Sequence, residues 1–573
     1  MTMEQKNRFY KGRLALLPLA VGFSLWGASV ELASSAIVPK GVKLADQQRL
    51  VRNNGTEPQS LDPHKIEGVA ESHLSRDLFE GLVIINDDGE METRVAKSWE
   101  NEDFIVWRFK LKPDLKWSNG DPITASDFEY SWKRLADPAT GSPYASYLQY
   151  AHIENIDDVI LGEKPADDLG VKALDDETLE VRLSTAVPYF PQLLAHTAMS
   201  PVPQKVIEKY GDQWTNVGNF VGNGAYQLAQ WQVNEFIKLK RNQAYWDNDN
   251  TVIDEVLFLP ITSEVTEAQR YRAGEIDITA NIPIDFFQKL QAEIPDEIKV
   301  SPYLCTYYYG INNSREPFTD IRVREALKLA LDQELLTDRV KAQGDLPAYS
   351  FTPPYIAGIE KLTVPEWFNQ PMEERSARAK ALLKEAGYDE SNPLKIKLLY
   401  NTSDLHKKMG VAAASLLKQN AGVEMTLDNR EWKTYADSRR AGNYDVVRAS
   451  WCADYNEPSS FLNMMIGDSS VNTVHYKSDE FDQLMRQTLT AKDDQERAHF
   501  YQIAEEKLDQ DSVIIPIFYF ANLRLVKPHV GGYTGKNQLG YYYTKDLYIM
   551  DHDDRNQIDD PSSHHSRSGS KAK

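Results

Sequence analysis
Cysteine is nearly absent from this 573-residue chain: there are two, Cys305 and Cys452. They have no CxxC spacing and no cluster of metal-ligating residues around them, which excludes the usual zinc and dithiol-redox patterns. Basic charge is also short, with 64 Lys and Arg against 85 Asp and Glu and a net charge of −21. Such a surface repels nucleic acid and anionic membrane. Past the first thirty residues no segment is apolar enough to span a bilayer, in line with a mean hydropathy of −0.51. Catalytic signatures are missing as well: no GxSxG, no HExxH and no Gly-rich dinucleotide turn. Gly531-Gly532-Tyr533-Thr534-Gly535-Lys536-Asn537 has neither the leading spacing nor the Ser/Thr of a phosphate loop.

What is there begins with a targeting signal. Lys6, Arg8, Lys11 and Arg13 precede an apolar stretch from Leu14 to Val30, followed by Ser34-Ser35-Ala36. A positive start, an apolar middle and small residues at the end form a secretory signal peptide, so cleavage near Ala36 is expected. The alternative is an uncleaved membrane anchor, against which stand the short length, Pro18, Gly22 and Glu31. No cysteine near the cleavage point offers a lipid attachment site, so the expectation is a soluble periplasmic protein. Removing residues 1–36, which carry four basic and two acidic side chains, leaves a mature chain at −23. Its length suits two or three lobes.

Export places both cysteines where disulfides form, and pairing of Cys305 with Cys452 is expected; two free buried thiols are the alternative. The chain-entropy model gives about 5 kcal/mol, as an upper figure, for closing so long a loop. The triplets at Asn54, Asn312 and Asn401 would accept glycans only in a eukaryotic route and read as ordinary loop residues.

Short β-rich runs alternate with amphipathic helices throughout, the pattern of a mixed α/β protein. Ile105 to Leu111 and Thr178 to Leu183 alternate as one-sided strands, antiparallel in character. Arg322 to Leu331 and Ala377 to Ala386 have helical spacing, the second stopping at Gly387. Residues 551–573 are polar and rich in Ser, Asp and His, the composition of a disordered tail. His552, His564 and His565 in it read as solvated residues, with loose metal binding as the alternative.

Several segments carry a family resemblance: Ser60-Leu61-Asp62-Pro63-His64-Lys65, Arg76-Asp77-Leu78-Phe79-Glu80-Gly81-Leu82, and Lys116-Trp117-Ser118-Asn119-Gly120 with Thr124-Ala125-Ser126-Asp127-Phe128. Asn223-Gly224-Ala225-Tyr226, Gly274-Glu275-Ile276-Asp277 and Trp451-Cys452-Ala453-Asp454-Tyr455-Asn456-Glu457-Pro458 continue it. In this order they resemble the family-5 extracellular solute-binding proteins of ABC importers over nearly the whole mature chain, and the last segment resembles the oligopeptide branch.

The resemblance implies an α/β clamp of the type II periplasmic-binding-protein kind, with three domains in two lobes joined by hinge strands. Residues 37–79, 204–304 and 522–550 would form domain I, residues 80–203 an inserted domain II, and residues 305–521 domain III. It implies capture of short peptides for a membrane permease and ATPase, with no catalysis, no cofactor and no metal. One clamp completes such a site, so a monomer is expected.

A receptor for unrelated peptides must bond their main chain as an added strand and match both charged ends, since an unpaired buried charge costs several kcal/mol. By resemblance, Asp454 meets the peptide ammonium. Arg439, Arg448, His406 and Lys341 offer positive charge to carboxylates of peptides of different length, His406 only when protonated. Glu67, Tyr144, Trp432 and Trp451 line side-chain pockets, Glu67 as an acidic contact for basic side chains. After Cys305-Thr306-Tyr307-Tyr308-Tyr309, where close relatives can carry an acidic residue, this chain has Gly310, which puts a preference for Lys-rich peptides in doubt. A murein-peptide or haem receptor on the same fold is the rival reading; a secreted peptidase would need a nucleophile or metal constellation that the sequence does not offer.

Overall fold
The alternating run at 105–111 forms the strand Val106–Leu111, with Trp107, Phe109 and Leu111 buried. Beside it lies Thr178–Arg182, antiparallel, Val106 opposite Arg182. Ala96–Glu102 and Val171–Asp175 complete a four-stranded antiparallel sheet. Helix Ala125–Ala136 packs on it through Phe128, Trp132 and Leu135, and its start is closed by a capping box in which the Thr124 N–H donates to the Asp127 carboxylate at 2.8 Å. This is a computed structural model, and it describes residues 36–551 except 188, 360 and 361. The signal segment before Ala36 and the tail with His552, His564 and His565 lie outside the described residues.

A second four-stranded sheet joins distant parts of the chain. Arg49–Asn53 runs parallel to Glu255–Leu259, which pairs antiparallel with Phe236–Arg241 and, through it, with Tyr226–Gln232. Helix Val69–Leu78 buries Leu74 and Leu78 in the same core as Leu50, Val256 and Phe258.

The third sheet has six strands in the order Leu346–Pro347, Ile514–Leu525, Ile298–Ile311, Val446–Cys452, Lys395–Asn401, Glu424–Arg430. Its two long members, Ile298–Ile311 and Ile514–Leu525, pair antiparallel from Ile298 opposite Leu525 to Gly310 opposite Ile514, with register breaks after Pro302 and Tyr307. At one end Leu523 and Leu525 join a core with Leu257 and Leu259; at the other Tyr307, Tyr309, Ile515 and Ile517 join a core with helix Ile321–Ala330. These strands therefore pass from one core into another.

The helix expected from Ala377 begins earlier, as Met372–Glu385. Its first turn is polar, with Glu373 and Glu374 suited to the helix dipole, and so carries no apolar period to read. It ends as expected: the Gly387 N–H donates to Lys384 O and the Tyr388 N–H to Leu383 O, a Schellman closure with Gly387 at φ 92°.

The largest core is continuous across two sheets. Tyr144 and Tyr147, from the segment around the first sheet, pack against Trp451 and Tyr455 at the end of the third, with ring centroids 6.4 Å apart in each pair.

Candidate functional site
Cys305 and Cys452 are disulfide-bonded and stand directly opposite each other in the ladder. The Ala453 N–H donates to Leu304 O at 2.8 Å, while the Leu304 N–H donates to Gln538 O, so the hydrogen-bonding position of the ladder falls at Leu304–Ala453 and not at the cysteines. Antiparallel ladders alternate, and Cys452, Ser450 and Arg448 therefore turn their N–H and C=O groups away from Ile298–Ile311. On that outer side Lys395–Asn401 covers only Val446 and Val447, and the Tyr435 hydroxyl donates to Arg448 O. From Ser450 to Cys452 the strand edge is open among the described residues.

That edge borders a cavity of about 280 Å³ lined by Arg448, Ser450 and Cys452 together with the start of helix Val69–Leu78, Thr402, Ser403, Leu405, His406, Trp432, Lys341 and the Phe520–Arg524 run. It lies where the second and third sheets meet along the long strands.

Arg448 is buried, and its guanidinium donates to Asn401 Oδ1 at 3.2 Å and Ser450 Oγ at 3.1 Å, lies 4.8 Å from the Tyr307 ring, and has no partner at Nε. No carboxylate pairs with it among the described residues. Asp454 is its complement: also buried, with no Lys or Arg partner among the described residues and with His196 Nε2 at 3.2 Å from Oδ1. Its backbone is held at both ends, the N–H by Ser460 Oγ at 2.7 Å and the C=O by the Tyr541 hydroxyl at 3.2 Å. Burial first, then the Asp454 charge, keeps the Tyr144 and Tyr147 hydroxyls well above their ordinary pKa.

The other expected cations are already matched or neutral. The Lys341 ammonium bonds Asp345 and Gln343; the spacing of four to Asp345 was visible in sequence. Arg439 pairs with Glu67 at 3.3 Å, and Arg440 joins them. Glu67, expected to receive basic side chains, is thereby taken. Burial, then the neighbouring Arg448, hold His406 well below the usual histidine range, so it offers polarity and not charge. The physical reason is shared by these three: a buried charge is costly unless a carboxylate lies beside it or, for histidine, the proton is lost.

Trp432 donates to Glu71 Oε1 at 3.1 Å. Trp451 donates to Ser460 O at 2.6 Å and stacks on Tyr144. The structure thus gathers Arg448, His406, Lys341 and Trp432 at the cavity, groups Asp454, Tyr144 and Trp451 just past its Cys452 end, and joins Glu67 to Arg439. Gly310 lies apart from the cavity lining, where an added Cβ would come within 2.9 Å of Val474 and 3.1 Å of Val447. Sequence reasoning missed His196 and Glu71. Glu71 is buried with Oε2 unpartnered, and burial raises its pKa; neither residue carries a local signal, because both act through partners far along the chain.

Among known proteins, the chain is 59% identical over 535 residues to the periplasmic oligopeptide-binding protein OppA of Salmonella typhimurium, covering 93% of this chain and 98% of that protein. The crystal structure of Haemophilus influenzae OppA in complex with the peptide RPPGFSPFR superposes with a TM-score of 0.88 at 47% identity, over 89% of this chain and all of that one. The Escherichia coli murein tripeptide binding protein MppA gives 0.87 at 43% identity, with the same coverage. The family model described as bacterial extracellular solute-binding proteins, family 5 middle, matches residues 90–473. The chain belongs to family 5 of the bacterial extracellular solute-binding proteins.

Proposed function
We propose that this chain is the periplasmic binding subunit of an ABC importer, which captures short oligopeptides largely regardless of their sequence and hands them, unchanged, to the membrane permease and ATPase subunits. The observation that carries this reading is the stretch Arg448–Asp454. Among the described residues it presents an open strand edge at Ser450 and Cys452 between a buried cation with no carboxylate beside it and a buried carboxylate with no Lys or Arg partner. An extended peptide with free termini is the ligand that fits all three features. Its main chain adds to the edge, its ammonium meets Asp454, and its carboxylate meets Arg448. It then runs opposite to the strand Val446–Cys452. Because the bonds go to backbone, affinity does not depend on side chains, which face the cavity wall formed by Trp432 and its neighbours.

Longer or shorter peptides would draw on Arg439, Lys341 and His406, the first two exchanging their present carboxylate partners for the ligand's. Tyr144 and Trp451 form flat walls near the ammonium end, and Glu67 competes with a ligand's acidic groups for Arg439. The domain scheme of residues 37–79 with 204–304 and 522–550, residues 80–203, and residues 305–521 is supported by the two long strands that pass between cores, which suits them to act as hinges. The names of the relatives, periplasmic oligopeptide-binding proteins, support both the compartment and the ligand class.

Native mass spectrometry of the purified mature protein, followed by denaturation, tests the reading. Release of intact short peptides of mixed sequence supports it. A single defined species, such as haem or one wall peptide, or peptides shortened during incubation, overturns it.

A further inference from the structure
We propose that His196 is the positioning residue for the carboxylate of Asp454, an assignment that rests on the peptide-binding reading above. The His196 Nδ1 accepts the backbone N–H of Ala198 at 3.2 Å, at the head of the short turn Thr197–Met199. That bond fixes the tautomer: the ring proton sits on Nε2, which is 3.2 Å from Asp454 Oδ1. The ring packs against Tyr144, stacked at 4.7 Å and 14°, and Tyr147 at 4.6 Å and 32°, two rings that are themselves 6.1 Å apart and so meet it from adjoining sides. Tyr147 is itself anchored by its hydroxyl on Leu193 O at 2.9 Å.

A carboxylate at the end of an aspartate is free to swivel unless something holds it. Here the backbone of Asp454 is pinned by Ser460 and Tyr541, and the Nε2 edge of His196 stands 3.2 Å from Oδ1, leaving Oδ2 to accept the peptide ammonium. His196 follows the last strand of the Ala96–Arg182 sheet, at the head of the turn Thr197–Met199, whereas Asp454 follows the Val446–Cys452 strand. The ammonium site is therefore complete only when these two parts of the chain are together, which couples recognition of a free N-terminus to closure.

The experiment compares trialanine with N-acetyl-trialanine by calorimetry or competition on the wild-type protein and on His196→Phe and His196→Gln. Phe keeps the aromatic stack and removes the donor, whereas Gln restores an N–H at nearly the Nε2 position. The expected result is that His196→Phe weakens trialanine about tenfold, the scale of one hydrogen bond to a charged group, with N-acetyl-trialanine unchanged and His196→Gln recovering most of the loss. Equal loss for both peptides in His196→Phe, or loss for neither, overturns the positioning role while leaving the peptide-binding reading intact. If the wild-type protein binds both peptides equally well, the ammonium role of Asp454 falls, and the role of His196 falls with it.

Discussion
Cys452 lies directly across from Cys305 as a non-hydrogen-bonded pair of the ladder, with Cα atoms 4.0 Å apart. In that pairing both residues turn their backbone polar groups outward. The bond that ties the two strands thus also aims the N–H and C=O of Cys452 at the cavity and holds Asp454 two residues further on.

Replacing both cysteines by alanine should therefore act on two levels. Chain entropy alone predicts a loss of up to about 5 kcal/mol in denaturant titrations for a loop of this size. Peptide affinity should fall as well, because the open edge and Asp454 lose their tether. Unchanged affinity in a folded double variant would show that the ladder fixes the edge without the disulfide.

Asp454→Asn should weaken binding of peptides with a free amine by about 2–5 kcal/mol, the usual cost of stranding one member of a buried charge pair. N-acetylated peptides should already bind poorly to the unmutated protein. Calorimetry with a peptide and its acetylated form checks both, and indifference to acetylation removes Asp454 from the ammonium role.

Arg448→Met separates function from stability. Arg448 is a buried cation whose partners among the described residues are Asn401, Ser450 and the Tyr307 ring. Replacing it with an apolar side chain of similar length should leave the ligand-free protein as stable or more so, since an uncompensated buried charge is costly. Affinity for peptides with a free carboxylate should drop by about 2–5 kcal/mol, and C-terminally amidated peptides should lose much less. Thermal melts beside calorimetry read the two effects; a destabilised apo protein with affinity intact would assign Arg448 a structural role.

What the sequence made legible was local. Alternation at Val106–Leu111 and Thr178–Arg182 foretold strands because side-chain direction in a strand depends on neighbours alone. The stop at Gly387 was readable for the same reason. The resemblance supplied candidate residues for the site, Asp454 for an ammonium and Arg439, Arg448, His406 and Lys341 for carboxylates, but not their ion partners. That Glu67 would meet Arg439, that Arg49–Asn53 would lie parallel to Glu255–Leu259, and that His196 would face Asp454 are consequences of tertiary packing between distant segments. No window of sequence contains them. Lys341 with Asp345 was the exception, a pair four residues apart that could have been anticipated.

Glu264 provides a test by pH. It lines the cavity at the head of helix Glu264–Arg272, and burial raises its pKa from 4.5 to about 7, with Lys341 pulling it down and Asp404 pushing it up. Between those values the folded protein holds a proton that the unfolded chain has released. The stability this group contributes is full below 4.5 and is lost as pH rises through about 7, a change of about 3 kcal/mol by linkage. Buried Glu267, raised to about 8, acts in the same sense, whereas His64 and His152, lowered to about 3 and about 4, act oppositely at lower pH. The comparison must therefore be differential. The stability of Glu264→Gln minus that of the wild-type protein, from denaturant titrations at about pH 5 and about pH 8.5, should grow by about 3 kcal/mol at the higher pH, because glutamine keeps the shape of the protonated acid and does not titrate. A difference that stays constant across this range would mean that Glu264 ionises in its ordinary range and that the cavity is better hydrated than its walls suggest.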